Sequence, residues 1–269
     1  MGRKERGSSV MRGTIVRLRR ALRPRRVSCL EAQFSFLLFG CLTAAAECAD
    51  PAAYVHSAAS ITRHFSDEER KTDARLLGAR GTAWFLSSES IITAAHVTQG
   101  MHLQEETWKE IEITLAENAQ SIDVRVKRLA GSGTEKIALL ELRRAFPGAQ
   151  AFQIRTAPLA TGERVVSLAF PSGALRFAEG RFIRYEDEGK VSGVALLEMY
   201  DGNDRLVLDH GASGAPVLDC DGRVVAVVSN IFAKTIPFMS QAIRVSTAWG
   251  NPNIASLPIS ALAPDSKAE

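Results

Sequence analysis

The chain has 269 residues, of which 46% are hydrophobic and 23% are charged, so it is long enough and apolar enough to bury a sizeable globular core. Its net charge of +3 is unevenly distributed, because residues 1–26 contain ten Lys or Arg and one Glu and leave the rest of the chain at −6. The mildly acidic remainder argues against a nucleic-acid-binding protein.

Residues 1–46 have the order of a signal peptide. A basic stretch ends at Arg26, and the apolar run FSFLLFGCLTAAA follows at residues 34–46. This run is shorter than the about 20 residues that span a bilayer, so we expect no stable membrane span. Ala44 and Ala46 supply the small residues of a signal-peptidase site, which predicts export to the periplasm or beyond. Cleavage after Ala46 would leave Cys48 and Cys220, and an oxidising compartment would allow a disulfide between them.

The next segment, residues 47–80, is mixed and polar, with a short helix predicted between Asp67 and Leu76. From Gly81 the chain becomes a series of short apolar runs, namely GTAWFLS, SIITAAHV, IEITL, IDVRVKRL and KIALLEL. In IDVRVKRL the apolar residues Ile122, Val124 and Val126 alternate with charged ones, as they do in a strand with one buried face. These runs predict a first β domain at residues 81–150.

A looser stretch at residues 143–162 contains Pro147 and Pro158 and is interpreted as the link between two halves. Seven further strand-like runs follow, namely ERVVSLAF, GRFIRYED, GVALLEMY, RLVLDH, APVLD, RVVAVVSN and QAIRVSTA. They predict a second β domain at residues 151–262 and a tail at 263–269, with a short docked or frayed segment from Asn251. These runs follow one another at about 8–12 residues per strand, which is typical of a β-sandwich or barrel. An α/β sheet would need crossover helices between its strands, and the sequence shows none.

The stretch HGASGAPVLDC contains the candidate nucleophile, Ser213. Its small neighbours allow the backbone N–H groups of Gly211 and Ser213 to converge on one point, where they would stabilise the oxyanion of an acyl-transfer intermediate. The Gly-x-Ser-x-Gly elbow of α/β-hydrolases does not fit, since Ala215 takes the last position and Pro216 leads into a strand. The alternative interpretation is a tight turn between two strands.

A nucleophilic serine needs a base, and His96 is the candidate among five histidines. It stands at the end of the apolar run SIITAAHV, where small residues place its ring at the edge of a core. A lone histidine at such a position is more often structural. The motif around Ser213, which stands at the end of a strand in the other half of the chain, favours the catalytic interpretation of His96.

The segment Thr93-Ala94-Ala95-His96, with Gly211-Ala212-Ser213-Gly214-Ala215-Pro216 far downstream, resembles the trypsin-like (chymotrypsin-fold) serine proteases. The runs GTAWFLSSESIITAAHV and GERVVSLAFPS are also similar to strands of exported bacterial members. The resemblance covers about residues 81–243. It implies two antiparallel Greek-key β-barrels with the active site in the cleft between them. It further implies that Ser213 is the nucleophile, that His96 is the general base and that the Gly211 and Ser213 amides form the oxyanion hole.

The family's third residue, an aspartate, is missing from its expected place. The segment that should read Asp-Ile-Ala-Leu-Leu begins with Lys136, and a lysine beside the imidazole disfavours its protonated form. Glu135 supplies the carboxylate if the local backbone shifts, and Asp123 or Asp209 are alternatives. The remaining alternative is a weak or inactive protease-fold binding protein.

The resemblance also bears on specificity and partners. The position six residues before the serine, which often sets the family's primary specificity, is Val207, and this argues against a preference for Lys or Arg. We expect a serine endopeptidase that acts on protein or peptide substrates. We expect no cofactor and no metal, since neither His-Glu-x-x-His nor Cys-x-x-Cys occurs in the sequence.

Overall fold

A computed structural model describes residues 48–72, 77–131, 136–188, 191–201, 208, 210–231 and 252–262. Several predicted features lie outside the described residues. They are the leader at residues 1–46, Glu135, Val207, Asp209 and the predicted strand at 241–248.

The described residues form twelve strands, two short α-helices and three single-turn 3₁₀ helices. The strands are β1 (Ala58–His64), β2 (Gly78–Ser87), β3 (Ser90–Ala94), β4 (Lys109–Leu115), β5 (Asn118–Ala130), β6 (Ile137–Leu142), β7 (Arg164–Ala169), β8 (Arg176–Glu188), β9 (Val191–Tyr200), β10 (Pro216–Leu218), β11 (Val224–Ile231) and β12 (Ile254–Pro258). The α-helices are α1 (Asp67–Thr72) and α2 (Ala95–Gly100), and the 3₁₀ helices are Pro51–Tyr54, Pro171–Gly173 and Ile259–Leu262.

The first six strands close into one antiparallel barrel in the order β1-β2-β3-β6-β5-β4. The predicted alternation in β5 is confirmed, because Ile122, Val124 and Val126 are buried while Asp123 and Arg125 between them are partly exposed. Closure leaves no free strand edge, so every strand of this barrel is paired on both sides.

Strand β1 belongs to this barrel, although the sequence pattern placed the start of the first β domain at Gly81. Its sequence, AASITRH, mixes small and polar residues, yet its first six positions are buried. Ser60 and Thr62 occupy interior positions that a hydrophobicity pattern assigns to water. The barrel therefore begins at Ala58, and β1 pairs with β2 on one side and β4 on the other.

The remaining six strands close into a second antiparallel barrel in the order β10-β11-β12-β9-β8-β7. Strand β12 lies in the segment after Asn251 that the sequence pattern interpreted as a docked or frayed end. It pairs with both β11 and β9 and closes the barrel. A five-residue run between prolines is too short to show periodicity, and only pairing on both sides defines it as a strand.

An apolar layer joins the two barrels. Trp84 on β2 is fully buried and meets Phe152 of the linker edge-on, with ring centroids 6.0 Å apart. Leu168 on β7 and Val227 on β11 belong to the same buried cluster. Because side chains from both barrels and from the linker form one core, the barrels pack as a single body around the cleft.

An ion-pair cluster holds the linker against the turn between β10 and β11. Arg155 reaches both Glu163 and the buried Asp219, which also accepts hydrogen bonds from the backbone N–H and side chain of Arg223. Burial raises the pKa of Asp219, but the hydrogen bonds from Arg223 and Arg155 outweigh burial and hold that pKa below its usual value. The cluster is therefore ionised at neutral pH.

Cys48 and Cys220 form a disulfide between the start of the described chain and the β10–β11 turn. The backbone N–H of Ala49 donates to the Cys220 carbonyl at 3.0 Å beside it. The disulfide closes a loop with a sequence separation of 172 residues. In the part of the chain that the structure describes, no helix is both long and apolar enough to cross a bilayer.

Candidate active site

Ser213 lies in a compact turn that leads directly into β10. The N–H of Ala215 donates to the Ala212 carbonyl at 2.9 Å, and the N–H of Gly214 donates to Val228 on β11 at 2.8 Å. The Ser213 hydroxyl donates to the Ser229 carbonyl at 3.3 Å and is half-buried. The turn is thus held against β11 while its serine remains open to the cleft.

His96 is the second residue of α2, immediately after β3. The chain turns from strand to helix at Ala94, which has an extended backbone, and the His96 side chain is exposed. Two contacts hold this corner. The N–H of Ala95 donates to the Lys136 carbonyl at 2.8 Å, and the Thr98 hydroxyl donates to the Ala95 carbonyl at 2.7 Å. The imidazole therefore projects from a corner whose backbone is fixed.

The serine turn lies directly against the strand end that leads to His96. Gly214 has a φ of +92°, and a Cβ at this position would collide with the Thr82 carbonyl and the Thr93 hydroxyl and would lie 3.1 Å from the Ala94 nitrogen. Only glycine fits there. Ser213 and His96 each lie within two residues of this contact, so the fold brings together the two segments that carry the predicted nucleophile and base.

Thr82 on β2 joins the segments that form the site. Its N–H donates to the Ser213 carbonyl at 2.9 Å, and its hydroxyl donates to the Gly211 carbonyl at 2.7 Å. The same hydroxyl accepts the N–H of Phe170 at 3.0 Å, and its carbonyl accepts the Thr93 hydroxyl at 2.7 Å. One fully buried threonine thus connects the serine turn, the loop after β7 and the strand before His96.

The two predicted oxyanion donors have no acceptor among the residues that the structure describes. Within the described ranges, neither the N–H of Gly211 nor that of Ser213 is hydrogen-bonded to another residue, although their carbonyls are both bonded to Thr82. Polar N–H groups beside a packed core are normally paired, and unpaired ones at a cleft are available to a ligand oxygen. Two N–H groups without such an acceptor in one turn are what an oxyanion hole requires.

The predicted third residue, Glu135, lies outside the described residues, and only its neighbour Lys136 is described. Lys136 approaches α2 through its carbonyl, which places the chain that enters β6 next to the corner before His96. Asp123 lies in the middle of β5, seven residues and about 20 Å along the strand from Ala130, which pairs with Ile137. The end of β3 before His96 pairs with Ile137, so Asp123 is too far along the strand to orient His96, and it pairs with Arg143 instead. Glu135 and Asp209 lie outside the described residues.

Sequence reasoning missed Thr82 and the loop at 170–173, which contacts the serine turn. The available signal was a single threonine in the apolar run GTAWFL, because a buried hydroxyl requires a partner. No pattern in the sequence names that partner, which lies 129 residues away. No group of three or more metal-ligating side chains occurs among the described residues.

A double antiparallel β-barrel with a serine turn and a histidine at the cleft defines a chymotrypsin-like protease fold. The model of the trypsin-like peptidase domain matches residues 81–227, more than half of the chain. The chain belongs to this family of serine proteases. No curated protein matches it in sequence.

Solved structures agree on the fold. The active form of the Rv3671c protease from M. tuberculosis shares 18% identity with a TM-score of 0.52, over 81% of this chain and 86% of that one. The HtrA-type protease AlgW with tripeptide shares 17% identity with a TM-score of 0.52, over 79% of this chain but only 60% of that one. At these identities the likeness shows the shared architecture alone.

We expect Thr82→Val to destabilise the protein by about 1–3 kcal/mol, because valine keeps the shape but leaves the Gly211 carbonyl and the Phe170 N–H buried without their partner. Urea denaturation measures the change. Thr114→Val is the control, since Thr114 is half-buried on β4 and its hydroxyl has no partner among the described residues. Equal effects of the two substitutions would contradict the role of Thr82.

Proposed function

We propose that the protein is a serine endopeptidase that hydrolyses peptide bonds through an acyl-enzyme on Ser213. The observation that supports this function best is the contact of Gly214 with Ala94, because it joins the serine turn to the strand end before His96. The N–H groups of Gly211 and Ser213 at the same turn have no acceptor among the described residues, and in this proposal they supply the third requirement of acyl transfer, a site for the oxyanion.

The proposed reaction follows from these positions. The Ser213 Oγ attacks the peptide carbonyl carbon while His96 accepts the hydroxyl proton, and the carbonyl oxygen becomes an oxyanion that the two N–H groups bind. The intermediate collapses, the C–N bond breaks, and His96 returns the proton to the leaving amine. Water then attacks the ester, again with His96 as base, and releases the acid product and free Ser213.

We propose Glu135 as the carboxylate that orients His96. The support is the bond between the Lys136 carbonyl and the N–H of Ala95, which brings this segment of the chain to the corner before the histidine. Glutamate is one methylene longer than the family's aspartate, which suits a carboxylate that begins one position earlier in the chain. The role of such a residue is to fix the tautomer and to stabilise the imidazolium.

The second candidate function is a protease-fold binding protein with little or no turnover. Lys136 favours it, since this lysine occupies the place of the family's acid beside the His96 corner. The loss of the orienting acid lowers turnover by about 10⁴ while the oxyanion hole and the binding cleft persist. In this case the cleft would still bind peptides.

The first test is labelling of the mature protein by a fluorophosphonate, which reacts with an activated serine. We expect Ser213→Ala and His96→Ala to abolish labelling, because the first removes the nucleophile and the second removes its base. Ser88→Ala, at an exposed serine in the turn between β2 and β3, is the matched control and should label like the wild type. Labelling of Ser213→Ala at the wild-type level would refute the nucleophile.

The second test separates the two candidate functions. If Glu135 is the orienting carboxylate, Glu135→Gln lowers kcat by about 10³–10⁴ and Lys136→Asp changes it little. If the natural protein lacks its acid, Glu135→Gln has no effect and Lys136→Asp raises peptidase activity by a comparable factor. Rates with a chromogenic peptide library, measured for both variants and the wild type, distinguish the two results.

We further propose that the protein is exported and acts in an oxidising compartment. The disulfide between Cys48 and Cys220 supports this location, since stable disulfides are rare in the reducing cytosol, and it lies just after the predicted cleavage site. N-terminal sequencing of the protein recovered from cell fractions should give a mature chain that begins near Glu47 and is disulfide-bonded. Recovery from the cytosol with residues 1–46 attached would refute export.

A further inference from the structure

The loop after β7, at residues 170–173, packs against the backbone of Gly211 in the serine turn. Gly211 has a φ of +99°, and a Cβ there would lie 3.0 Å from the Phe170 carbonyl and 3.2 Å from the Ser172 nitrogen. No side chain fits between this loop and the serine turn. The position of the loop therefore fixes the position of the Gly211 backbone.

One hydrogen bond from this loop sets the direction of an oxyanion donor. The Ser172 N–H donates to the His210 carbonyl at 3.1 Å. The His210 carbonyl and the Gly211 N–H belong to one planar trans peptide, so they point in opposite directions. With the carbonyl bound to the loop, the Gly211 N–H points away from the loop. A rotated peptide would instead present a carbonyl to the substrate oxygen and would repel the oxyanion.

Ser172, whose N–H bonds to the His210 carbonyl, has a backbone conformation that is unfavourable unless other contacts restrain the loop. Its φ is 52° and its ψ is 21°, in the left-handed region that residues with a Cβ rarely occupy. Such a conformation persists only where surrounding contacts impose it. The residue that supplies the donor for His210 is thus itself held in an unfavourable state.

Arg80 on β2 supplies a restraint from the first barrel. Its Nη1 donates to the Ser172 carbonyl at 2.8 Å, and its Nε donates to the hydroxyl of Thr62 at 3.2 Å. Gly173, at a φ of +83°, leaves room for the guanidinium, because a Cβ there would lie 2.7 Å from Nη1. A hydrogen bond from a charged guanidinium is stronger than a neutral one, and the second bond to Thr62 limits the side chain's freedom.

We propose that Arg80 is a positioning residue that holds the Gly211 N–H in the oxyanion hole through the Ser172 carbonyl and the His210 peptide. This role rests on the proposed function of Ser213 and extends it to the first barrel. Arg80 is exposed, and its side-chain hydrogen bonds in the described residues go to Thr62 and Ser172 rather than to the predicted nucleophile or base. Arg80 fixes the orientation of the His210–Gly211 peptide, so its loss should weaken stabilisation of the oxyanion intermediate rather than binding of the substrate.

The variants Arg80→Ala, Ser172→Gly and the double variant test the proposal in the full mature chain. Arg80→Ala should lower kcat about 10-fold, less than the 10²–10³ that follows complete loss of one oxyanion donor, with KM within about two-fold. Glycine adopts the left-handed conformation without penalty, so in the Ser172→Gly background the loss caused by Arg80→Ala should shrink to about two-fold. Arg80→Lys, which keeps a donor, should recover part of the activity.

Arg143→Ala is the matched control. Arg143 is an exposed arginine of the same barrel that bonds to Asp123 at 2.9 Å, and it should leave kcat unchanged. The proposal is overturned if Arg80→Ala behaves like this control, or if the losses of Arg80→Ala and Ser172→Gly multiply in the double variant. A purely structural role would predict such independent losses.

Hydrogen exchange separates this proposal from the proposed function. Arg80→Ala should raise the exchange rate of the peptide that contains residues 170–174 by about 10-fold, while Arg143→Ala leaves it unchanged. If fluorophosphonate fails to label wild-type Ser213, the proposed function fails, and exchange still tests the restraint on the loop. Labelled wild-type protein with unchanged exchange in Arg80→Ala overturns the role of Arg80 and leaves the proposed function standing.

Discussion

Thr82 makes the hydrogen bonds on which the arrangement of the site depends. It contacts two carbonyls of the serine turn, one N–H of the loop after β7 and one hydroxyl of the strand before His96. These groups are buried or half-buried between the barrels, and a buried polar group left unpaired costs about 1–3 kcal/mol. The two barrels therefore meet in one relative position, and that position determines the cleft.

Two glycines allow this close approach. Gly214 fits against β3 and Gly211 fits against the loop at 170–172, and both have positive φ values that other residues rarely adopt. The short stretch around Ser213 thus satisfies two requirements at once. It brings backbone segments of both barrels into contact, and it leaves the N–H groups of Gly211 and Ser213 without an acceptor among the described residues.

The barrels and the family motifs could be predicted from sequence because their signals are local. The alternation of Ile122, Val124 and Val126 follows the two-residue period of a strand, and the motifs around His96 and Ser213 are short and specific. Strands β1 and β12 could not be predicted in this way. Their small and polar residues are buried only because neighbours on both sides pair with them, and pairing partners are distant in sequence.

The class of fold, the family resemblance, and His96 and Ser213 as the candidate pair follow from the amino-acid sequence alone, because each depends on residue types at short spacing. The folded structure is needed to show that Asp123 lies too far from His96 to orient it, that Cys48 bonds to Cys220, and that Thr82 joins the parts of the site. These are distances between segments far apart in the chain. They are fixed by the closure and packing of the two barrels, which no local pattern encodes.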